Sequence, residues 1–382
     1  MKKKILLVLI IFSLVFSIPV GAEETATDSD LIFDAFNEVF TYILNYHADE
    51  NTVDDLLRGA MKGMVDSLDR YSEYLTAEQY EDMQLEYEGH FGGIGIVITP
   101  DLTIISPIKG TPGEAAGLQA EDEIIAIDGE LTENMTQAEG VEMMRGEPGT
   151  EVTLTIRRKG MEESFEEKII RADIEIPYVE WEMKNDEIGY ISIAQFVQNV
   201  GEKVETAIRE LEDEGAKAVI LDLRSNPGGL IGEAIEVSSS FLSKKDVVSV
   251  RSKIGSNEVY RTKDGIYSTE LPLVVLINQG SASGSEIVAG AIQDYERGIL
   301  MGKKSFGKGS VQSLLPLVDG SAIKLTTGKY FTPADRDIHE KGVEVDIEID
   351  YDPEYEGDNQ LEETIRYIED NILYDSEKKL AS

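Results

Sequence analysis

Two short loops rich in small residues carry the side chains best suited to covalent chemistry. The first, residues 279–286, holds three serines, of which Ser283 is the middle one, and follows an apolar run of strand length. The second, residues 302–312, places Lys308 between two glycines. A buried strand that ends in small hydroxyl residues can present one of them at a sheet edge. The helical pattern between the loops predicts that one helix joins them.

A serine hydroxyl is a weak nucleophile until a base removes its proton. The chain has only three histidines, His47, His90 and His339, and none lies in a segment that forms an evident Ser-His-Asp set. A lysine can act as the base if burial lowers its pKa from about 10.4, because the amine must be neutral at working pH. Lys308 suits this role, and the amide oxygen of Gln312, four positions later, could orient its amine.

Two other interpretations of these loops stay open on the residues alone. Residues 302–308 nearly match a phosphate-binding loop of the form GxxxxGK[ST], but Gly309 replaces the hydroxyl residue and no helical pattern follows. A phosphate-binding loop requires the N-terminus of such a helix. The three serines are also consistent with an ordinary solvated turn, which composition by itself favours over a nucleophile.

A glycine-rich turn earlier in the chain predicts a second part of the site. An apolar strand at residues 218–223 leads through Arg-Ser-Asn-Pro-Gly-Gly to a helix at residues 230–241. A strand, tight turn and helix leave N–H donors at the C-terminal end of the strand, where an oxyanion can be stabilised. We therefore assign an oxyanion hole to the backbone of Gly228 or Gly229 together with Gly284. The alternative is a purely structural turn.

Residues 89–173 contain a glycine-containing turn that runs into a strand. The turn consists of Gly93, Ile94, Gly95 and Ile96. Free N–H groups at such a turn, beside an open sheet edge, suit the C-terminal carboxylate of a peptide that adds as an extra strand. A dinucleotide-binding loop is excluded, because Ile98 replaces the third glycine and no helix follows.

Three segments resemble, in order, successive signatures of the carboxyl-terminal processing proteases, and they are residues 221–229, 278–287 and 305–312. The resemblance extends from about residue 30 to about residue 350. It implies a Ser-Lys dyad supported by a glutamine, and residue by residue these are Ser283, Lys308 and Gln312. Gly284 departs from the family, which often has alanine there.

The resemblance also implies a multidomain α/β fold. The expected parts are a signal peptide or N-terminal anchor at residues 1–22, a helical domain at 23–84, a PDZ domain at 85–173, a crotonase-like or ClpP-like α/β serine protease core at 174–352, and an acidic helical tail at 353–382. The N-terminal helical face and the tail helix are both candidates for a subunit contact in a homodimer.

The first residues have the pattern of a secretory signal peptide. Lys2, Lys3 and Lys4 precede an apolar run at residues 5–20, and small residues follow at a cleavage position. The run is short for a membrane span, so an uncleaved anchor is the alternative rather than the first choice. Both interpretations predict an exported protein.

The composition excludes several classes of partner. The 382-residue chain has a formal net charge of -39, so nucleic acid and anionic lipid would be repelled. One hypothesis for this charge is a high-salt habitat, where self-repulsion is screened. The chain has no cysteine and no His/Cys cluster with zinc spacing, so a disulfide framework, a thiol nucleophile and a metal site are not expected. No cofactor is expected either.

These expectations combine into an exported serine endopeptidase. The PDZ domain would capture the C-terminal end of a protein or peptide substrate, Ser283 would attack the chain, and Lys308 would take and return the proton through an acyl-enzyme. Two alternatives remain: a PDZ-based binding scaffold whose protease fold is inactive, and a histidine-dependent esterase, which would require His339 near Ser283.

Overall fold

The computed structural model describes residues 26–161, 163–175, 177–253 and 257–373. The predicted signal peptide lies outside these residues. The chain divides into two units, Met1–Leu68 and Asp69–Ser382. No helix within the described ranges has both the length and the apolar character needed to cross a membrane.

The described part of the first unit is helical, as its apolar spacing predicts. It consists of α1 (Ala26–Tyr46) and α2 (Val53–Asp66). The hydroxyl of Thr52 accepts the N–H of Asp55 and so caps α2. Asp54 and Asp55 lie in the first turn of α2, where negative charge is stabilised by the helix dipole.

A β-rich domain lies within the second unit. The antiparallel pair β2 (His90–Gly93) and β9 (Ala172–Glu175) carries the chain into and out of it. A second pair is β3 (Ile96–Ile98) with β4 (Ile104–Pro107). The remaining elements are α4 (Pro112–Ala115), β5 (Glu123–Ile127), β6 (Glu130–Leu131), α5 (Gln137–Met144), β7 (Glu151–Arg157) and β8 (Phe165–Ile170). Alternate residues of β7, Val152, Leu154 and Ile156, are fully buried, as a strand with one apolar face requires.

The part of the second unit that follows the β-rich domain is built on a six-stranded sheet in which only the first strand is antiparallel to its neighbour. In spatial order its strands are β10 (Val179–Met183), β11 (Ile188–Ile193), β12 (Ala218–Asp222), β15 (Leu273–Ile277), β16 (Ile299–Gly302) and β19 (Ile347–Glu348). Its central strands are apolar throughout because both faces are covered. One face packs on α6 (Val200–Glu214), α7 (Ile231–Ser239) and α8 (Gly284–Asp294).

The other face of this sheet packs on the C-terminal helix α9 (Asn359–Ile368), which continues as a short π-helical segment, Glu369–Leu373. Leu361 and Ile368 of α9 join one apolar cluster with Ile220 and Leu276 of the sheet. The amphipathic pattern of the tail is therefore accounted for by burial within the chain. The homodimer contact stays a prediction.

A second, antiparallel sheet of five strands completes this unit. Its strands are β1 (Glu73–Leu75), β13 (Asp246–Ser252), β14 (Asn257–Arg261), β17 (Ser310–Pro316) and β18 (Ala322–Phe331). β1 and the first two turns of the following helix α3 (Ala77–Glu88) fall in the sequence range expected for the N-terminal helical domain, yet β1 pairs with β18. That part of the range is thus hydrogen-bonded into the second unit.

The sheet order brings the predicted site loops together. β12 and β15 are adjacent and parallel, so the glycine-rich turn after β12 and the serine loop after β15 leave the sheet side by side. This edge, outside the carboxyl ends of parallel strands, is where open α/β sheets bind their ligands. The α/β class of the fold and these two strands are confirmed.

Candidate active site

Ser283 occupies a strained turn between β15 and α8. Its φ is 51° and its ψ is -108°, a combination that glycine adopts far more readily than serine. The residue is nearly buried, and Gly284 starts the helix immediately after it. A strained strand-to-helix turn of this kind holds a nucleophile at the end of a sheet, in front of a helix N-terminus.

The other two serines of the loop have structural partners. The hydroxyl of Ser281 donates to the Leu223 carbonyl at 2.7 Å, and that of Ser285 donates to the Asn226 carbonyl at 2.9 Å. Both residues are fully buried. These bonds attach the serine loop to the glycine-rich turn, and Ser283 alone among the three is not used in this way. The solvated-turn interpretation does not fit this arrangement.

Lys308 lies between two glycines, of which Gly309 is required by close packing and Gly307 by its backbone conformation. A Cβ at Gly309 would lie 2.5 Å from the backbone nitrogen of His339, and Gly307 has a φ of +92°. The chain then enters β17 and no helix forms. The phosphate-loop interpretation is therefore wrong, because its helix N-terminus is missing.

Glu286 joins the two loops. Its carboxylate is fully buried and accepts four hydrogen bonds. The donors are the Ser283 N–H (2.9 Å), the Ser305 hydroxyl (2.5 Å), the Gly307 N–H (2.7 Å) and the Lys308 N–H (2.8 Å). The Ser283 and Lys308 amides bind the same oxygen, Oε2. Two hydrogen bonds to one oxygen atom thus hold the backbones of Ser283 and Lys308, the two predicted catalytic residues, close together.

The environment of the Lys308 amine favours its neutral form. Burial lowers the pKa of Lys308, the positive charge of Lys324 lowers it further, and the negative charge of Glu286 opposes both. The Lys308 Nζ also lies 5.3 Å from the centre of the Tyr71 ring. A lowered pKa is what a lysine needs in order to act as a base near neutral pH.

The side chains of the predicted triad are not hydrogen-bonded to one another in this conformation. Within the described residues, no hydrogen bond joins Ser283 Oγ to Lys308 Nζ or Lys308 to Gln312. The Gln312 amide nitrogen instead donates to the hydroxyls of Ser310 (2.9 Å) and Thr326 (3.3 Å). A bulge between Val311 and Gln312 breaks the strand alternation on which the spacing argument relied. The role of Gln312 stays a prediction.

Tyr330 lies near Ser283 and was missed by sequence reasoning. Tyr330 on β18 is buried, and burial raises the pKa of its hydroxyl while a side-chain hydrogen-bonding interaction with Ser283 lowers it. Tyr330 is 47 positions from Ser283 in the sequence, and no local pattern connects them. Glu286 was missed as well, although Ser-x-x-Glu before an apolar run is a recognisable helix-start pattern.

The glycine-rich turn packs directly on the nucleophile. A Cβ at Gly228 would lie 2.6 Å from Ser283 Cβ and 2.8 Å from the Gly284 nitrogen. The Gly228 N–H already donates to Asn226 Oδ1 at 2.8 Å, so it is not available to an oxyanion. The N–H groups of Gly229 and Gly284 donate to no acceptor in the described part of the chain. Of Gly228 and Gly229, the two candidates for the first donor to the oxyanion, only Gly229 therefore remains.

The third histidine packs beside the lysine loop. The Nδ1 atom of His339 is buried and has no hydrogen-bond partner among the described residues, and its backbone rests on Gly309. Its own N–H donates to Asp337. No hydrogen bond in the described ranges links His339 to Ser283, so the geometry gives the esterase interpretation no support.

The role of the loop at residues 93–96 as a carboxylate-binding turn stays a prediction, and its backbone groups are arranged as follows. The Ile94 carbonyl accepts the Gly113 N–H at 2.7 Å, and the Gly95 carbonyl accepts the Ile108 N–H at 2.9 Å. The N–H groups of Ile94 and Gly95 have no acceptor within the described residues. β3, which begins at Ile96, pairs only with β4 in the described chain, which leaves one edge open to a peptide strand.

Comparison with known proteins identifies both parts of the chain. The sequence model of peptidase family S41 matches residues 187–349, and that of a PDZ domain matches residues 103–158. The chain is 40% identical over 324 residues to a carboxy-terminal-processing protease of Bartonella bacilliformis, covering 82% of this chain and 74% of that protein. It is 37% identical over 338 residues to the carboxy-terminal processing protease CtpA of Bacillus subtilis, covering 87% and 72%.

A solved structure has the same architecture. The photosystem II D1 C-terminal processing protease superposes with a TM-score of 0.53 at 27% identity, covering 82% of this chain and 86% of its own. The fold and these matches define an α/β serine peptidase core that carries a PDZ domain. The chain belongs to peptidase family S41, the family of the carboxyl-terminal processing proteases.

The strain at Ser283 predicts an unusual stability change. Ser283→Gly relieves a conformation that costs about 1–3 kcal/mol for a residue with a Cβ, and it loses about 0.5–1 kcal/mol through greater freedom of the unfolded chain. In urea titrations, we expect the free energy of unfolding of Ser283→Gly to be about 1 kcal/mol higher than that of Ser283→Ala. Equal stability of the two variants would show that the turn is not strained.

The four donors around Glu286 predict that an amide cannot replace its carboxylate. In Glu286→Gln the new NH2 group would face backbone N–H groups, so at least one hydrogen bond to a charged acceptor is lost, at about 1.5–3 kcal/mol. Peptidase turnover per folded molecule should fall at least about tenfold, because a misplacement of about 1 Å can cost up to a hundredfold.

A matched control is Glu233→Gln. Glu233 is a partly buried carboxylate on α7 that accepts the Gly201 N–H at 2.9 Å and, in the described part of the chain, no N–H of either loop. It should lower the melting temperature without lowering turnover per folded molecule. Normal turnover in Glu286→Gln would mean that the carboxylate does not hold the loops in their working positions.

Proposed function

We propose that this chain is an exported serine endopeptidase that cleaves by a Ser283-Lys308 dyad and takes its substrates by their C-termini through the PDZ domain. The observation that carries the proposal is the shared bonding of the Ser283 and Lys308 amides to Glu286 Oε2. This shared bonding holds the backbone of a potential nucleophile next to the backbone of a lysine whose pKa is lowered. The relatives' names, as carboxyl-terminal processing proteases, agree with this activity.

The chemistry follows from the two loops. The neutral Lys308 amine takes the proton of Ser283 as its oxygen attacks the scissile carbonyl, and the Gly229 and Gly284 N–H groups receive the negative charge on the carbonyl oxygen. The Lys308 ammonium then protonates the leaving amine, and an acyl-enzyme remains. Water attacks the ester with Lys308 again as base, which releases the acid and restores the serine. Gln312 would orient the amine once the side chains of the dyad meet.

Export rests on the N-terminal sequence. Three lysines, an apolar run and small residues at a cleavage position form a signal-peptide pattern within residues 1–22. A peptidase that acts outside the cytoplasm would meet substrate C-termini of exported proteins there, whether the segment is cleaved or retained as an anchor.

The dyad predicts that two single substitutions remove activity while the fold is kept. Ser283→Ala removes the nucleophile, so cleavage of a peptide substrate should disappear. Lys308→Ala removes the base, which is worth about 10²- to 10⁴-fold. Circular dichroism and the melting temperature serve as controls for folding. Turnover at the wild-type rate in Ser283→Ala would refute the proposal and point to another nucleophile.

The pH profile distinguishes a lysine base from a histidine base. The base works in its neutral form, so kcat/KM should rise with pH through the pKa of Lys308. Because burial and Lys324 lower this pKa, the inflection should lie below the ordinary lysine value of about 10.4. His339→Ala should leave the inflection in place. A profile whose inflection disappears in His339→Ala would contradict the dyad.

The carboxylate-binding turn predicts a change confined to substrate capture. Gly95 has a φ of +72°, and a Cβ there would lie 2.4 Å from the Thr111 side chain, so Gly95→Ala should displace the free N–H groups. We expect KM for a peptide with a free C-terminus to rise about tenfold or more, since charged hydrogen bonds are worth about 1.5–3 kcal/mol, with little change in kcat.

Gly110→Ala is the matched control, because Gly110 also has a left-handed φ of +81° but open space where a Cβ would point. The Gly110→Ala variant should lose stability, because alanine disfavours a left-handed backbone, while its KM should stay that of the unchanged enzyme. A C-terminally amidated peptide should show the raised KM with the unchanged enzyme. Equal KM values for the acid and the amide would rule out capture through the carboxylate.

A further inference from the structure

A nearly buried arginine connects the glycine-rich turn to the C-terminal helix. Arg224 lies two residues after the end of β12, and its side chain is 14% exposed. Its guanidinium donates to Asp222 (Nη2 to Oδ2, 2.5 Å) and forms a two-pronged pair with Asp358 (Nη1 to Oδ1, 2.9 Å; Nη2 to Oδ2, 2.6 Å). Nη1 also donates to Gln360 Oε1 at 3.1 Å. Such planar, charge-assisted pairs have strict geometry.

Asp358 has a second role at the start of α9. It is the N-cap residue, and its carboxylate accepts the Leu361 N–H at 3.1 Å. Gln360 is likewise held, because its amide nitrogen donates to the Ile349 carbonyl at 2.8 Å. The partners of Arg224 are therefore fixed to a helix that is itself packed on the sheet. Asp358 lies beyond residues 187–349, the part matched by the peptidase family model.

The residues after Arg224 lead directly to the oxyanion donors. Ser225 has a positive φ of 58°, and its N–H donates to Asn278 at 2.8 Å. Asn226 binds the Gly228 N–H, and Gly229 follows. A shift at Arg224 is thus passed within five residues to the donor that we assign to the oxyanion.

We propose that Asp358 is a positioning residue of the peptidase site, which acts through Arg224 to hold the Gly229 N–H where the oxyanion forms. The inference rests on the proposed function. It gives the C-terminal helix a part in the chemistry, although no residue of that helix is placed at the reacting atoms. Without Asp358 the guanidinium keeps only the neighbouring Asp222 as a charged partner, and only the neutral Gln360 side chain still joins it to the C-terminal helix.

The test compares two Asp-to-Asn changes in the same segment. Asp358→Asn keeps a good N-cap residue but removes the charge that pairs with Arg224. Asp352→Asn is the matched control, since Asp352 is exposed, its carboxylate accepts the Glu354 N–H at 2.9 Å and it makes no hydrogen bond with Arg224 in the described part of the chain. Both are compared with the unchanged full chain in kcat, KM and melting temperature, and with Asp358→Glu, which restores the charge.

We expect kcat to fall about tenfold in Asp358→Asn with KM unchanged, because loss of one oxyanion donor costs about 10²- to 10³-fold and this donor is displaced rather than removed. The inhibition constant of a peptide boronic acid, which places a negatively charged oxygen in the oxyanion hole, should rise by a similar factor. Asp352→Asn should change none of these values, and Asp358→Glu should recover part of the loss.

A merely structural role would lower the melting temperature and leave kcat per folded molecule and the boronic acid constant unchanged, which would overturn the inference. An equal loss of kcat in Asp352→Asn would also overturn it. Failure of the proposed function is recognised separately: Ser283→Ala would then still cleave. If Ser283→Ala is inactive and Asp358→Asn is normal, the dyad stands and only the positioning role of Asp358 falls.

Discussion

The buried carboxylate of Glu286 is the constraint on which the arrangement of the site depends. An ionised carboxyl group removed from water is costly unless every lone pair finds a donor. Here the donors are three backbone N–H groups and the Ser305 hydroxyl, drawn from both loops, and the first turn of α8 adds the positive end of its dipole. No single loop can satisfy the group. The serine loop and the lysine loop must therefore be in place together or not at all.

The same constraint explains how a strained serine persists. Ser283 is held by its N–H bond to Glu286 on one side and by the close approach of Gly228 on the other. Ser281 and Ser285 attach the flanking residues to the backbone of the glycine-rich turn. Unfavourable backbone conformations survive only where neighbouring contacts determine them. The strained conformation of Ser283 is thus maintained by the serine loop, the lysine loop and the glycine-rich turn together.

The sequence predicted most of the elements that carry the site, because their signals are local. The apolar strand at residues 218–223 and the helix that follows the glycine-rich turn are indicated by local patterns, and both are present. The hydrogen bonds that set the site geometry could be predicted less well from the sequence. A bulge displaced Gln312 from its expected register, the Gly228 N–H was taken by Asn226, and Arg224 meets Asp358 across 134 positions. The contact between Arg224 and Asp358 has no pattern within a short window, and the other two are local backbone features that apolar periodicity does not record.

The carboxylate that unites the loops also works against the chemistry of the lysine. A negative charge near Lys308 raises its pKa, and an aromatic face such as that of Tyr71 favours the ammonium too. Burial and Lys324 act in the opposite direction, and they prevail. Because the penalty of burial vanishes in the presence of water, any opening that hydrates the amine would restore its proton and remove the base. Exclusion of water at Lys308 is therefore as necessary to the proposed dyad as the proximity of its two residues.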